Sequence, residues 1–178
     1  MIILGIETSC DETAAAVIES KNTDNKVTLL SNVVASSLQI HAKTGGIIPE
    51  NAAREQVKYI IPVIKKALKD SRLNPPNIDA IAVTVGPGLI GSLLVGVETA
   101  KTLAYVWQKP IIPVNHLIGH IYANWISITN EQQLTAKNKR LEVAYPALAL
   151  IVSGAHTDLV LIKQHRNIEL LGGTRDDA

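Results

Sequence analysis

Three stretches of the chain carry residues that chemistry can use. In Asn115-His116-Leu117-Ile118-Gly119-His120 two imidazoles stand four positions apart. On a helix that spacing projects both from one face, which suits two ligands of one metal ion. Two unrelated polar residues on a half-exposed helix would give the same pattern. A zinc protease is disfavoured, because Leu117 occupies the place of the general-base Glu of HExxH. Two ligands do not close a site, and the nearest carboxylates in sequence, Glu131 and Glu142, lie in a polar stretch, so a third ligand has to come from elsewhere. The second stretch, Thr8-Ser9-Cys10-Asp11-Glu12-Thr13, packs hydroxyls, a thiol and two acids into one turn. Asp11 and Glu12 could position a cation or orient a nucleophile beside a phosphate, although any hairpin turn is rich in polar residues. Cys10 has no identifiable base beside it and reads as a bystander thiol.

The third stretch, Gly86-Pro87-Gly88-Leu89-Ile90-Gly91, formally satisfies GxGxxG. A dinucleotide site fails on detail, since the next strand ends at Asn115 rather than at an acid, and the Lys-Ser/Thr of a P-loop is missing. The glycines let backbone approach something closely, a ligand or another helix, at a helix N-terminus suited to anions. Ahead of the first helix, His41 and Gly45-Gly46-Ile47-Ile48-Pro49-Glu50 form a loop whose last two residues suit a helix start.

These residues need elements to hold them. Ile2 to Glu7 and Thr13 to Glu19 are apolar runs around a short turn, so they form a hairpin, and Lys26 to Ala35 adds a third antiparallel strand. From Pro49 the period changes: Ala53, Val57, Ile60, Ile61, Ile64 and Leu68 recur at helical spacing, with Lys58, Lys65, Lys66 and Lys69 outward and a kink expected at Pro62. Asn74-Pro75-Pro76-Asn77 stops that helix. Then follow a strand over Ile78 to Val85, a helix over Gly91 to Trp107, a strand over Ile111 to Val114, and a helix over Asn115 to Trp125 capped by Asn115. The order βββαβαβα is the α/β layout of a ribonuclease-H-like domain.

Thr129 to Glu142 is polar and without apolar period, and reads as an exposed linker in which Lys137, Lys139 and Arg140 could meet phosphate. Beyond it, Tyr145 to Val152 and Asp158 to Lys163 flank a small-residue turn, as in the opening hairpin. A slide of 144 positions puts Ser9 on Ser153, Thr13 on Thr157 and Ala16-Val17-Ile18 on Val160-Leu161-Ile162. The repeat predicts a lobe over 1–128, a linker over 129–143 and the start of a second similar lobe over 144–178. Two such lobes facing across a cleft would form an actin-like ATPase architecture, with turn amides offered to phosphate.

Composition narrows the class. Of 178 residues 47% are apolar and 19% charged, which excludes disorder and supports a folded core. No run approaches the roughly 18 uncharged apolar residues of a membrane span. A single cysteine, Cys10, allows no internal disulfide and points to a reducing cytoplasm. A net charge of +1 gives no broad field for nucleic acid, so such a partner must be gripped by a local patch or another subunit.

Taken together, the segments resemble the tRNA N6-adenosine threonylcarbamoyltransferase family (TsaD), once labelled O-sialoglycoprotein endopeptidase. The resemblance runs through Gly5-Ile6-Glu7-Thr8-Ser9-Cys10-Asp11-Glu12-Thr13, Gly45 to Glu50 and Val83 to Leu93. It continues through His116 to His120, Leu150-Ile151-Val152-Ser153-Gly154 and Leu170 to Ala178. It implies an actin-like fold of two lobes and transfer of a threonylcarbamoyl group from threonylcarbamoyl-AMP to N6 of the adenosine beside the anticodon, in tRNAs reading codons that start with A. It implies His116 and His120 as ligands of one divalent metal ion, iron by the family's habit with zinc as the alternative, and Ile151, Val152, Ser153, Gly154 and Ala155 as a substrate-binding turn. Asp11 and Glu12 would orient the ligand or accept a proton as the catalytic carboxylates. Implied partners are tRNA and the TsaB- and TsaE-like proteins of the same pathway, with no membrane.

Departures from the family pattern are Ala155 for Gly, Ile118 for Glu, Asn115 for His, Thr44 for Tyr and Gln56 for His. The family's third ligand, an Asp, is expected beyond Ala178, so the chain alone should be inactive. A competing reading is a non-catalytic partner lobe, in which Gly91, Ser92, Gly96 and Ala100 would allow close helix contact between subunits.

Overall fold

Strand β1 (Ile2–Glu7) is the hub of the first sheet, because it is apolar up to its last residue, Glu7, and pairs on both edges. The computed structural model describes residues 1–21, 26–36, 49–128, 144–152 and 157–174. On one side β1 pairs antiparallel with β2 (Glu12–Lys21), which pairs antiparallel with β3 (Lys26–Ser36). On the other it pairs parallel with β4 (Ala80–Gly86), which pairs parallel with β5 (Ile111–Asn115). A two-residue strand β6 (Ser127–Ile128), absent from the sequence expectation, lies parallel against β3. The order β5-β4-β1-β2-β3-β6 is the meander with parallel βα extensions that the sequence predicts, and the ribonuclease-H-like fold is thereby observed.

Alternation along the strands sends Leu4, Ile6, Ala15, Val17, Val33, Ile81 and Val83 to one face. There they meet helix α1 (Pro49–Ser71) and helix α2 (Ile90–Trp107). Each fully buried Leu, Ile or Val contributes about 1.5–3 kcal/mol relative to exposure. The face of α1 differs from the expected one. Ala52, Gln56, Ile60, Val63, Ile64 and Ala67 are buried, whereas Val57 and Ile61 are exposed. The helix is apolar over more than one face, and the polar Gln56 takes an inward place because it has backbone carbonyls to bind there. The four lysines do face outward, and the helix runs unbroken past Pro62. Asn74 to Asn77 stops it through a 3-10 turn over Pro75–Asn77.

On α2 the buried residues are Ser92, Gly96 and Ala100, one per turn. Thr8 of the first hairpin donates its hydroxyl to the Ser92 carbonyl at 2.8 Å, and a Cβ on Gly96 would collide with that hydroxyl. Gly91 faces Ala53 of α1, where an added Cβ would stand 3.3 Å from the alanine methyl. The small residues are therefore spent inside the lobe, and the expectation that they serve contact between subunits is corrected.

Helix α3 (His116–Ala123) is shorter than expected and crosses toward a second sheet. Its cap is the predicted one: the Asn115 side chain accepts from the amides of Leu117 and Ile118 at 3.0 and 3.2 Å. The second sheet is an antiparallel meander of β7 (Ala147–Val152), β8 (Thr157–Gln164) and β9 (Asn167–Gly173), the last strand unforeseen. Its hairpin repeats the first to the residue. Ile3 opposite Ile18 becomes Ala147 opposite Ile162, Ile6 opposite Ala15 becomes Leu150 opposite Leu159, and Glu7 opposite Ala14 becomes Ile151 opposite Asp158. The displacement is the one read from the sequence, and it supports the duplication. A small core of Ile121, Val160 and Ile162, with Ile118 and Trp125 beside it, joins α3 to this sheet. The linker and its basic residues, the loop with His41 and Thr44, and Ser153 to His156 lie outside the described residues.

Candidate metal centre

In an open α/β sheet, ligands bind beyond the carboxyl ends of the parallel strands. Strand β1 ends at Glu7, β4 carries Thr84 near its end, and β5 runs into His116. Period 2 turns Glu7 away from Leu4 and Ile6, to the face opposite α1 and α2. There it meets Thr84, whose hydroxyl donates to Glu7 Oε2, and His116, whose Nδ1 lies 3.2 Å from the same oxygen. The Ser9 backbone amide donates to Glu7 Oε1, and Ser9 Oγ lies 3.1 Å from His116 Nδ1. Burial pushes the Glu7 carboxyl up, but hydrogen bonds from Ser9, Thr84 and His116 outweigh it and hold the group below the usual carboxylate range. Two donors therefore already point at the carboxylate, the Ser9 amide at Oε1 and the Thr84 hydroxyl at Oε2, and toward them Glu7 is an acceptor.

His116 and His120 do share a face of α3. Their Nε2 atoms stand 3.1 Å apart, with the rings edge-on at 82°. Two nitrogens held about 2.0–2.1 Å from one ion lie about 3.3 Å apart at a tetrahedral angle. The observed separation fits a shared ion, and a pair of imidazole nitrogens is a donor set suited to iron or zinc. Among the described residues no group of three or more His, Cys, Asp or Glu side chains converges to close such a site. The histidines form one wall of a cavity of about 590 Å³ whose opposite wall is β7, including Ile151 and Val152. Four of the sequence-derived residues therefore come together, while Ser153, Gly154 and Ala155 lie outside the described residues.

The turn beneath is held from two sides, by α1 and by the stretch that leads into α2. Gln56 Nε2 donates to the carbonyls of Cys10 and Glu12 at 2.8 and 3.0 Å, and the amide of Leu89 donates to the Ser9 carbonyl at 2.7 Å. A Cβ on Gly88 would lie 2.5 Å from that carbonyl oxygen. The glycine-rich stretch thus serves close approach to the turn. Asp11 sits at the tip beside Cys10, and Glu12 is exposed at the head of β2; the carboxylate that reaches His116 is Glu7. Sequence reasoning gave Glu7 no role of its own and noted Gln56 only as a departure from the family pattern, without the carbonyls it binds. The available signal was an acid closing an otherwise apolar central strand, at the strand end where ligands bind.

With this geometry established, comparison with known proteins places the chain. The family profile described as "TsaD: tRNA N6-adenosine threonylcarbamoyltransferase" matches residues 28–178. A protein of Thermomicrobium roseum with that name is 53% identical over the whole chain, which spans 46% of the relative. A namesake from Staphylococcus aureus strain N315 is 49% identical over the whole chain and 47% of its own length. The chain thus spans about half the length of the curated relatives it matches. Among solved structures, "YeaZ from Pseudomonas aeruginosa" superposes with a TM-score of 0.56 over 97% of this chain and 66% of its own, at 16% identity, a likeness of fold. By the profile match, which covers most of its length, the chain belongs to the tRNA N6-adenosine threonylcarbamoyltransferase family.

Proposed function

We propose that the chain provides the first lobe, over 1–128, and the beginning of the second, over 144–178, of an enzyme that modifies tRNA. The reaction moves a threonylcarbamoyl group from threonylcarbamoyl-AMP to N6 of the adenosine beside the anticodon in tRNAs reading A-starting codons. The exocyclic amine attacks the carbamoyl carbonyl, the bond from that carbon to the phosphate oxygen breaks, AMP leaves, and the amine loses a proton. The observation that carries the reading is the histidine pair, with its two Nε2 atoms 3.1 Å apart at the edge of the cavity. His116 and His120 would hold a divalent ion, iron or zinc, which when bound supplies a Lewis acid for charge developing on transfer.

The chain's own residues do the rest. The β7 segment with Ile151 and Val152 would seat the substrate against the cavity, and Ser153, Gly154 and Ala155, next in sequence, would meet its polar part. Asp11 and Glu12 would orient the ligand or take up the proton. Partners in the proposal are tRNA and the TsaB- and TsaE-like proteins. Exposed Val57 and Ile61 on α1 and Ile90 and Leu94 on α2 support a protein partner there. The proposed compartment is the cytoplasm. Among the described residues no helix is long and apolar enough to cross a membrane.

The test starts by reading the gene past the codon for Ala178 and expressing whatever frame follows. The product is incubated with tRNA, the adenylate, a divalent metal and the pathway proteins, and the tRNA nucleosides are resolved by mass spectrometry. The expected result is threonylcarbamoyladenosine, lost in His116→Ala and His120→Ala. Modification by both variants at the parent's rate, or none by the parent, overturns the reading.

A further inference from the structure

The carboxylate nearest the histidines has no role in the reading above. We propose that Glu7 is a positioning residue for the metal site: by accepting from His116 Nδ1–H, it locks the imidazole in the tautomer whose Nε2 lone pair faces His120. The inference rests on the metal reading of His116 and His120.

A neutral imidazole carries one N–H, and the partner of one nitrogen decides where it sits. Around His116 Nδ1 stand Glu7 Oε2 at 3.2 Å and Ser9 Oγ at 3.1 Å. Ser9 Oγ can donate or accept, but both Glu7 oxygens already serve as acceptors, Oε1 for the Ser9 amide and Oε2 for the Thr84 hydroxyl, so the carboxylate faces Nδ1 as an acceptor, the proton belongs on Nδ1 and the lone pair on Nε2. Nε2 then points to His120 Nε2 at 3.1 Å, where two lone pairs are needed to share an ion. Glu7 is itself held, Oε1 by the Ser9 amide and Oε2 by the Thr84 hydroxyl, so the carboxylate cannot swing away without leaving two donors unmet. The chain of contacts runs from the carboxyl ends of β1 and β4 to the start of α3. It ties ring orientation to the rigid sheet rather than to the helix alone. Carboxylates placed in this way raise the basicity of the ligating nitrogen, and their loss typically weakens metal affinity 10–100-fold. In the second hairpin the position in register with Glu7 is Ile151, so the brace belongs to the first hairpin.

The test uses the full chain and cobalt(II) as the probe, whose absorption reports the ligand field. Titration of Glu7→Gln, which preserves shape and removes the charge, should show affinity weakened roughly 10–100-fold. Long-range nitrogen–proton NMR correlation in the metal-free protein should show His116 protonated on Nδ1 in the parent, with an Nε2–H population appearing in the variant. If His116→Ala and His120→Ala bind cobalt as the parent does, the metal reading fails. If they lose cobalt while Glu7→Gln binds it like the parent with an unchanged tautomer, the metal reading stands and this inference is overturned. Should Glu7→Gln not fold, the parent's spectrum decides: an Nε2–H tautomer at His116 refutes the inference without any variant.

Discussion

Replacing Gly96 by alanine puts two opposing effects on one residue. In a helix interior alanine is favoured over glycine by about 1 kcal/mol, so on an open face Gly96→Ala would stabilise the chain. Gly96 instead faces Thr8, and a Cβ there would occupy the space of the Thr8 hydroxyl while touching its Cβ and Cγ2 at 3.4 Å. Thr8 is almost fully buried and β-branched, so its side chain has little freedom to turn aside. Displacing its hydroxyl breaks the 2.8 Å bond to the Ser92 carbonyl and leaves a buried donor unmet, which costs about 1–3 kcal/mol. Crowding of the packed interface adds about 1–3 kcal/mol. Set against the helical gain of about 1 kcal/mol, the net is a loss of about 1–5 kcal/mol. Urea unfolding followed by far-UV circular dichroism measures it as a lowered midpoint. Thr8→Ala alone should lose about 1 kcal/mol, and the double variant should lose less than the two singles added together, because the new methyl enters the vacated space. A Gly96→Ala protein as stable as the parent, or more so, would refute the packing account of the α2 stripe.

Gln56→Leu fills the same space but leaves the Cys10 and Glu12 carbonyls without their donor, so thermal unfolding should shift down by the equivalent of about 2–3 kcal/mol. An unchanged midpoint would mean that the turn is held without Gln56. Burial first, then the charge of Asp11, pushes the Cys10 thiol up, so its alkylation by iodoacetamide at neutral pH should be slower than in the unfolded chain. The rate should climb only above the ordinary thiol range; a midpoint below neutrality would show an activated nucleophile instead.

The strands and helices of the first lobe were legible because their signals are local. Alternation in Ile2 to Glu7, helical spacing after Pro49 and the cap at Asn115 each sit within a few residues. The pairing of His116 and His120 on one face was legible for the same reason, the two being one helical turn apart on α3. Gln56 and Glu7 were not, because their significance lies in partners far along the chain: Gln56 with Cys10 and Glu12, and Glu7 with Thr84 and His116. The stripe of Gly91, Ser92, Gly96 and Ala100 admits the competing reading of a surface between subunits because small residues permit close contact with anything; only the positions of Thr8 and Ala53 show with what. The exposed Val57 and Ile61 reveal a related limit, since apolar spacing marks a face without saying whether this lobe or another molecule covers it. Short strands such as β6, with two residues, carry too little pattern to be seen at all.

Strand β7 combines three properties that bear on how the chain behaves in a tube rather than in a reaction. Among the described residues it is an edge strand, with β8 on one of its sides. Its segment Ala147-Leu148-Ala149-Leu150-Ile151-Val152 has no charge and no proline, and Leu148, Leu150 and Val152 are 66%, 64% and 70% exposed. Uncharged apolar edges of this length are templates for strand addition between molecules. Concentrated solutions of the 178-residue chain will therefore be governed by colloidal association through β7 as much as by the stability of the lobe, and dilution, low temperature or a capping peptide will act on the edge rather than on the core.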